Sequence, residues 1–374
     1  MTLPELALQQ NYQSTSIWFS SATSALIASL EAVGAKGKWV AVMPNVCPHV
    51  IAAIFASECK PWFVDIEPKY QGIDPKRLVE IISQVAAVIA VHAYGVPCEI
   101  EKIAKIAHEA NVPLIEDCAQ ADGADFQGKA VGNFGDIAVF SFGTGKIIDA
   151  GGGGLALVKM CWQDNINKVI DDWPEADNNL ISNDLGRVYR FFYNSFYPNR
   201  VELIQESFLA FIAKISPLFK TRSNAKIIPH LIERRKELEA IVKARREKYS
   251  IYIKHLPDTN LIQTLPLLQG AVPWRFNVII NTSYRDLLFK ELLKSDMKAS
   301  TWYPRISNFL PNHSFKTTSD SVAMLYERGI LNLWLDETIS NEQIVHDCEF
   351  LKNKLAQIEH QITKIKSNVK NYKS

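Results

Sequence analysis

Several features that would classify the chain at once are missing from its sequence. None of its six cysteines stands in a CxxC pair, so the sequence predicts neither a disulfide framework nor a metal site. The formal net charge of +1 argues against a nucleic-acid-binding protein, which needs a basic face. No apolar run reaches about 18 residues, and the polar first residues lack a signal-peptide pattern. We therefore expect a cytoplasmic protein with no membrane segment.

The composition is that of an ordinary globular protein, long enough for two domains. Hydrophobic residues make up 47% of the 374 positions and charged residues 22%. Short apolar runs typical of buried strands alternate with helical patterns. The predicted strands are 39–43, 60–65, 85–92, 112–115 and 137–142, with helices at 49–57 and 99–110. This alternation predicts an α/β fold with a mostly parallel central sheet flanked by helices.

The most informative stretch runs from residue 113 to residue 154. Its first strand ends in the Glu116–Asp117 pair, and its second strand carries Ser141 near its end. A glycine-punctuated loop then holds Lys146, and four consecutive glycines, 151–154, follow. An acid at one strand end, a hydroxyl at another and a lone lysine in a glycine-rich loop together indicate a cofactor site.

Three chemistries use a lysine in such a loop. A phosphate-binding P-loop fails because Phe140 stands where the first glycine is required and Ile147 where the hydroxyl is required. A dinucleotide fingerprint fails because Gly143 and Gly145 are followed by Ile148. The third is a lysine that binds pyridoxal phosphate as a Schiff base. That chemistry also needs an acid to keep the pyridine nitrogen protonated, and this stretch supplies both groups.

These motifs resemble the DegT/DnrJ/EryC1/StrS family of sugar-nucleotide aminotransferases, which are fold-type-I pyridoxal phosphate enzymes. The matching positions are Glu116-Asp117-Cys118-Ala119-Gln120, Gly123-Ala124, Gly132, Gly135-Asp136, Phe140-Ser141-Phe142 and Lys146. Two positions depart from the family pattern. Cys47-Pro48 replaces an aromatic residue thought to lie against the cofactor ring, and Gly152 replaces a glutamate. Cys47 or the ring of Pro48 could cover the cofactor, or this segment could be a simple strand-to-helix turn.

The resemblance implies a role for each matching side chain at the cofactor ring. Lys146 would hold the cofactor and, once displaced, would carry the proton between the substrate carbon and the cofactor carbon. Asp117 would pair with the pyridine nitrogen, and Gln120 would lie near the phenolic oxygen. Lys146 also argues against relatives that carry histidine at this position and perform dehydration.

The resemblance implies a phosphate site built from distant parts of the chain. Ala22 and Thr23, at the start of a predicted helix, would bind the phosphate together with Ser141, using the free N–H groups and the helix dipole. Small hydroxyl residues at such a start could instead be ordinary helix caps. In the family an N-x-R motif reaches the partner subunit's phosphate. Lys220 and Arg222 fall at that place, without the asparagine.

Substrates and partners are also implied by the resemblance. It implies a nucleotide-linked keto-sugar acceptor, a donor such as glutamate, pyridoxamine phosphate between the two half-reactions, and a homodimer with shared active sites. Such a reaction would serve cell-surface polysaccharide or secondary-metabolite biosynthesis. Arg275 is a candidate substrate residue because arginine suits a carboxylate or a diphosphate. Trp302 and Tyr303 are also candidate substrate residues. An ordinary surface cation is the alternative interpretation of the arginine.

The later part of the chain is predicted in outline. A large cofactor-binding domain is expected to span residues 1–235, and a smaller C-terminal α/β domain residues 236–374. A charged amphipathic helix, 233–256, resembles the family helix that leads into the small domain. The aromatic-rich segment 189–197 is interpreted as core or dimer interface, with a substrate pocket as the alternative.

Two other functions stay open from the sequence. The first is another fold-type-I reaction on an amino acid, such as that of a decarboxylase or a desulfurase, for which Cys47 and Cys118 are the thiols to consider. The second is a non-catalytic relative that acts as a regulator. The changes at Pro48 and Gly152 and the missing asparagine favour this second alternative.

Overall fold

The computed structural model describes residues 14–176, 205–223, 228–295 and 297–371 of the chain. The aromatic-rich segment 189–197 lies outside the described residues. Within them, no helix has both the length and the apolar character needed to cross a membrane.

The strands and helices alternate through the first half of the described chain. The strands are β1 (Thr15–Phe19), β2 (Trp39–Val42), β3 (Lys60–Phe63), β4 (Ile66–Glu67), β5 (Gly72–Ile73), β6 (Ala87–Val91), β7 (Leu114–Asp117), β8 (Asp125–Phe126), β9 (Lys129–Ala130), β10 (Ile137–Ser141), β11 (Gly154–Val158), β12 (Ile262–Thr264), β13 (Phe276–Ile280), β14 (Ala299–Ser300), β15 (Lys316–Thr317) and β16 (Ile330–Leu333). The helices are α1 (Ala22–Ala32), α2 (Pro48–Ala56), α3 (Pro75–Ile81), α4 (Ile100–Glu109), α5 (Met160–Ile170), α6 (Gln205–Phe219), α7 (Ile228–Arg235), α8 (Leu238–His255), α9 (Arg285–Lys294), α10 (Ser321–Gly329) and α11 (Asn341–Asn371).

The large sheet has the strand order β1-β11-β10-β7-β6-β2-β3-β15. Neighbours from β10 to β15 pair in parallel, whereas β11 pairs antiparallel with both β1 and β10. β2 and β6 are apolar along their whole length, as expected for strands of a sheet that helices cover, and all five residues of β6 are buried. Helix α1 packs against β10 and β11, and α4 packs against β6 and β7. The predicted strands and the predicted α/β class are confirmed.

The antiparallel pair at the end of this sheet was not predicted. β11 begins inside the glycine run, at Gly154, so the sequence pattern there resembles a loop that simply continues. A Cβ atom on Gly154 would lie 2.3 to 2.5 Å from backbone atoms of Ser21 and Ala22. Only glycine fits this contact, which brings the segment after Lys146 against the start of α1.

A second, four-stranded antiparallel sheet, in the order β12-β13-β16-β14, forms the core of the C-terminal part. Its interior is aromatic: the ring of Phe276 lies 4.9 Å from that of Tyr249 and 4.6 Å from that of Tyr252. The expected smaller C-terminal α/β unit is therefore present. β15 leaves this unit and joins the edge of the large sheet beside β3. The boundary between residues 235 and 236 stays a prediction.

The single helix predicted over residues 233–256 is wrong, because the structure contains two helices there. α7 ends at Arg235 and α8 begins at Leu238, with a turn between them in which Lys236 and Glu237 donate to the carbonyls of Glu233 and Arg234. The sequence pattern also predicts a closing helix over residues 341–355, and the structure extends it, since α11 continues to Asn371.

Candidate active site

A cavity of about 370 Å³ opens where three parallel strands end. β6 leads to His92, β7 ends at Asp117 and β10 ends at Ser141, and all three residues line it. Ligands of open α/β sheets bind at this edge of the sheet. The residues predicted to bind the cofactor all line this one cavity: Ala22, Thr23, Asp117, Gln120, Ser141 and Lys146.

The start of α1 forms one wall of the cavity. Ser21 is the N-cap, and its hydroxyl accepts the N–H of Ser24 at 3.1 Å. Ala22 and Thr23, the first two residues of the helix, line the cavity. The capping interpretation is thus observed at Ser21, and phosphate binding by Ala22 and Thr23 stays a prediction. The dipole of the helix gives this wall a positive potential.

Asp117, at the end of β7, supplies a buried carboxylate to the cavity. Its side chain accepts the N–H of Ala119 at 2.9 Å, and only 5% of the residue is exposed. Burial raises the pKa of Asp117 above its ordinary value, while the bond from Ala119 and the charges of Lys146 and His92 lower it. A cationic partner in the cavity would favour the ionised form of this carboxylate.

The amide of Gln120 has a fixed orientation. Its oxygen accepts the backbone N–H of Tyr94 at 2.7 Å, and its nitrogen donates to the hydroxyl of Tyr303 at 2.8 Å. Because a backbone N–H can only donate, the oxygen and nitrogen of this amide cannot exchange places. The nitrogen has a second hydrogen for an acceptor in the cavity.

The loop around Lys146 is held by contacts that the sequence did not reveal. Both carboxylate oxygens of Asp149 accept backbone N–H groups, from Gly145 at 2.7 Å and from Gly151 at 3.0 Å. The indole of Trp274 donates to the carbonyl of Gly145 at 2.7 Å. Gly145 and Gly151 have φ angles of +78° and +76°, which favour glycine. The side chain of Asp149 therefore bridges the two ends of the loop, and Trp274, from the C-terminal part of the chain, bonds to it as well.

Beneath the cavity, His92 and Glu116 form a fully buried pair, with 3.1 Å between Nε2 and Oε2. Glu116 also accepts the N–H groups of Gly132, Phe134 and Gly135. Burial opposes ionisation, but the bonds from His92 and the backbone outweigh it and lower the pKa of Glu116. Among the described residues, His92, Glu116 and Cys118 have possible ligand atoms within 4.8 Å of one another. The donors already bonded to Glu116 account for this grouping without a metal.

Only one of the three candidate substrate residues lines the cavity. Tyr303 lines the cavity, but Arg275 and Trp302 are not among its lining residues. The guanidinium of Arg275 lies 4.3 Å from the ring centres of both Trp274 and Trp334 and 3.5 Å from Asp336. Burial lowers the pKa of Arg275 to about 10. A substrate role for all three residues stays a prediction.

The segment that begins with Cys47-Pro48, which departs from the family pattern, lines part of the cavity. Of the two residues considered for the ring face, Cys47 lines the cavity and Pro48 is not among the lining residues. His49 also lines it, although no local motif marks this residue. Lys220 and Arg222 do not line this cavity; Lys220 pairs with Glu31 at 2.8 Å, and Arg222 donates to the carbonyl of Trp173 at 2.8 Å.

The fold is shared with solved aminotransferases. The chain superposes on the aminotransferase TlmJ from Streptoalloteichus hindustanus with a TM-score of 0.72 and 20% sequence identity, covering 92% of this chain and 86% of that one. The chain therefore has the fold of this solved aminotransferase, and the expected fold class is confirmed.

The sequence comparison supports the resemblance for the first part of the chain. Residues 9–165 match the model of the DegT/DnrJ/EryC1/StrS aminotransferase family, so this part of the chain carries the family's sequence and the resemblance is confirmed. Protein MosB of Rhizobium meliloti is 37% identical over 148 residues, which are 37% of this chain and 28% of that protein. GDP-perosamine synthase of Escherichia coli O157:H7 is 35% identical over 151 residues, 40% of this chain and 42% of that protein. The matches thus span less than half the length of either relative.

Proposed function

We propose that this protein is a pyridoxal phosphate-dependent aminotransferase that moves an amino group from an amino acid, glutamate in the first instance, to a nucleotide-linked keto-sugar. The observation that carries the proposal is the convergence of the six predicted cofactor residues on one cavity. The name of GDP-perosamine synthase, a relative by sequence, supports a nucleotide-sugar acceptor. Cell-surface polysaccharide or secondary-metabolite biosynthesis is the process we assign to it.

The side chains in the cavity fit pyridoxal phosphate by their chemistry. Burial of Asp117 raises the pKa of its carboxyl group, and a cation beside it would favour the ionised form. A pyridinium nitrogen would be such a cation. Gln120 offers an amide N–H, which suits a phenolate oxygen. The N-terminus of α1 and the hydroxyls of Thr23 and Ser141 suit a phosphate. When bound, the cofactor supplies an electron sink for the carbanion that forms when the substrate loses its proton.

The chain's own residues would orient the cofactor and move the proton. Lys146 would hold the cofactor and then, as a free amine, take the proton from the donor's α-carbon and return it on the cofactor side. Asp117 would keep the pyridine nitrogen charged. Asp149 and Trp274 would fix the loop from which Lys146 reaches. A 370 Å³ cavity walled by buried strand ends would limit the access of water to the reacting atoms.

The remaining expectations belong to the same proposal. We infer that the protein acts in the cytoplasm, where sugar nucleotides are made, and that it is a homodimer with shared sites. In such a dimer Lys220 and Arg222 would approach the partner's cofactor phosphate.

The lysine assignment is tested by locating the bound cofactor. Purified protein is incubated with pyridoxal phosphate, reduced with borohydride, digested and analysed by mass spectrometry. We expect a yellow absorbance band before reduction and the cofactor's mass on the peptide that contains Lys146. Lys146→Ala should lose both, while Lys168→Ala, which changes an exposed lysine of α5, should lose neither. Attachment at another lysine, or none, would contradict the proposal and favour a non-catalytic relative.

A further inference from the structure

The cavity is poor in positive charge for a site proposed to hold a phosphate. Its described lining contains no arginine, and Lys146 is its one lysine. Under the proposed function, that lysine is committed to the cofactor's carbonyl carbon. The other side chains in this lining that can carry a positive charge are His49 and His92.

His92 is already engaged on both ring nitrogens. Its Nε2 lies 3.1 Å from Glu116, and its Nδ1 accepts the backbone N–H of Cys98 at 3.2 Å. A ring held in this way supports the strand ends but has no donor for a ligand. Within the chain that forms the cavity, Lys220 and Arg222 contact Glu31 and the carbonyl of Trp173, so they add no charge to its lining, whatever they do in a partner subunit.

His49 has a different environment. It is the second residue of α2, 8% exposed, and it lines the cavity together with the start of α1. Its Nδ1 lies 3.2 Å from the hydroxyl oxygen of Thr23. This hydroxyl belongs to the second residue of α1, whose first two residues both line the cavity. The chain thus connects two helix starts through one imidazole–hydroxyl bond.

Which group donates in the bond between His49 and Thr23 depends on the ligand atom that contacts the Thr23 hydroxyl. A hydroxyl has one hydrogen to donate and two lone pairs that accept. When a phosphate oxygen takes the hydrogen, the hydroxyl oxygen is left to accept from Nδ1–H of His49. The imidazole then fixes the rotation of the hydroxyl and places its own N–H dipole one bond away from the anion. A ligand without a phosphate would not require this arrangement.

We propose that His49 is a positioning residue for the cofactor phosphate and acts through the hydroxyl of Thr23. This inference rests on the proposed function. It concerns a residue of this chain that lies beside the family motif, and it gives the altered Cys47-Pro48-His49 segment a role at the phosphate end of the cofactor.

The test compares two ligands that differ only in the phosphate. Apparent affinities for pyridoxal phosphate and for pyridoxal are measured by absorbance titration in the wild-type protein and in His49→Ala. A hydrogen bond to an uncharged hydroxyl such as that of Thr23 contributes up to about 1.5 kcal/mol, which is about tenfold in affinity. We expect His49→Ala to bind pyridoxal phosphate about tenfold more weakly and to bind pyridoxal as the wild type does.

Two further variants make the comparison specific. Asparagine can place an amide N–H near the position of Nδ1, so His49→Asn should recover most of the affinity for pyridoxal phosphate. His108→Ala, which removes an exposed histidine of α4, is the matched control and should change neither affinity.

An equal loss for both ligands in His49→Ala, or no loss for either, would overturn the inference and leave the proposed function intact. So would a failure of His49→Asn to recover any affinity while it still binds pyridoxal normally. A wild-type protein that binds neither ligand through Lys146 would contradict the proposed function and this inference together.

Discussion

Asp149 provides the sharpest prediction about how the lysine loop is held. The perturbation is Asp149→Ala, which removes the carboxylate that accepts the N–H groups of Gly145 and Gly151 at 2.7 and 3.0 Å. Bonds to a charged group contribute about 1.5 to 3 kcal/mol each, and the side chain is only half-buried, so the lower value applies. The closed loop should therefore lose about 3 kcal/mol relative to its open form.

Hydrogen–deuterium exchange measures this loss directly. Since about 1.4 kcal/mol corresponds to a factor of ten, Asp149→Ala should speed exchange in the peptide that carries Gly145 and Gly151 by about 100-fold. Asp149→Asn retains one oxygen acceptor and should give about a tenfold increase. Asp164→Ala, on the exposed side of α5, serves as the control. Unchanged exchange in Asp149→Ala would refute the argument, because the two bonds would then not hold the loop closed.

Two other predictions concern the carboxylates at the end of β7. Asp117→Asn should still bind pyridoxal phosphate, but its single-turnover reaction with glutamate should slow by about 100-fold or more, because the charge that stabilises a protonated ring is lost; an unchanged rate would contradict the assignment. For Glu116, the pKa in the folded protein is below the ordinary value of 4.5, so the unfolded chain binds the proton more readily. Its contribution to the free energy of unfolding is present above that ordinary value and is lost as the pH falls through the lower folded value. The urea midpoint of the wild-type protein should therefore fall in acid, and Glu116→Gln should be less stable at neutral pH and less sensitive to acid; equal acid sensitivity in both would contradict this account.

The parts of the fold that local patterns encode could be predicted from the sequence. β6 is a continuous apolar run, as expected for a strand covered on both faces, and polar residues follow or end β6, β7 and β10, where these strands meet the cavity. Lys146, Asp117 and Thr23 could be located for the same reason, since each lies at a recognisable strand end, helix start or glycine loop.

The parts that depend on contacts between distant segments could not be predicted. Trp274 reaches the carbonyl of Gly145 across 129 positions of sequence, and no local pattern marks that bond. Asp149 follows the lysine without any motif, and His49 acquires its place only when α2 packs beside α1. Arg275 is a candidate substrate residue because of its charge, and no local pattern reveals that its guanidinium lies close to two tryptophan rings. β11 was not predicted because it begins with Gly154, a residue type that is typical of loops. The structure requires glycine there because the strand lies in close contact with the start of α1.

The central claim is that Lys146 and the cavity around it catalyse amino transfer from an amino acid. The most direct measurement is the visible spectrum of the protein loaded with pyridoxal phosphate, recorded before and after glutamate is added, with 2-oxoglutarate measured in the same sample. We predict that the yellow band moves to the near ultraviolet and that about one equivalent of 2-oxoglutarate forms per site, since a half-reaction without acceptor can turn over only once. A band that persists in glutamate and in the other common amino donors, with no keto acid formed, would contradict the claim.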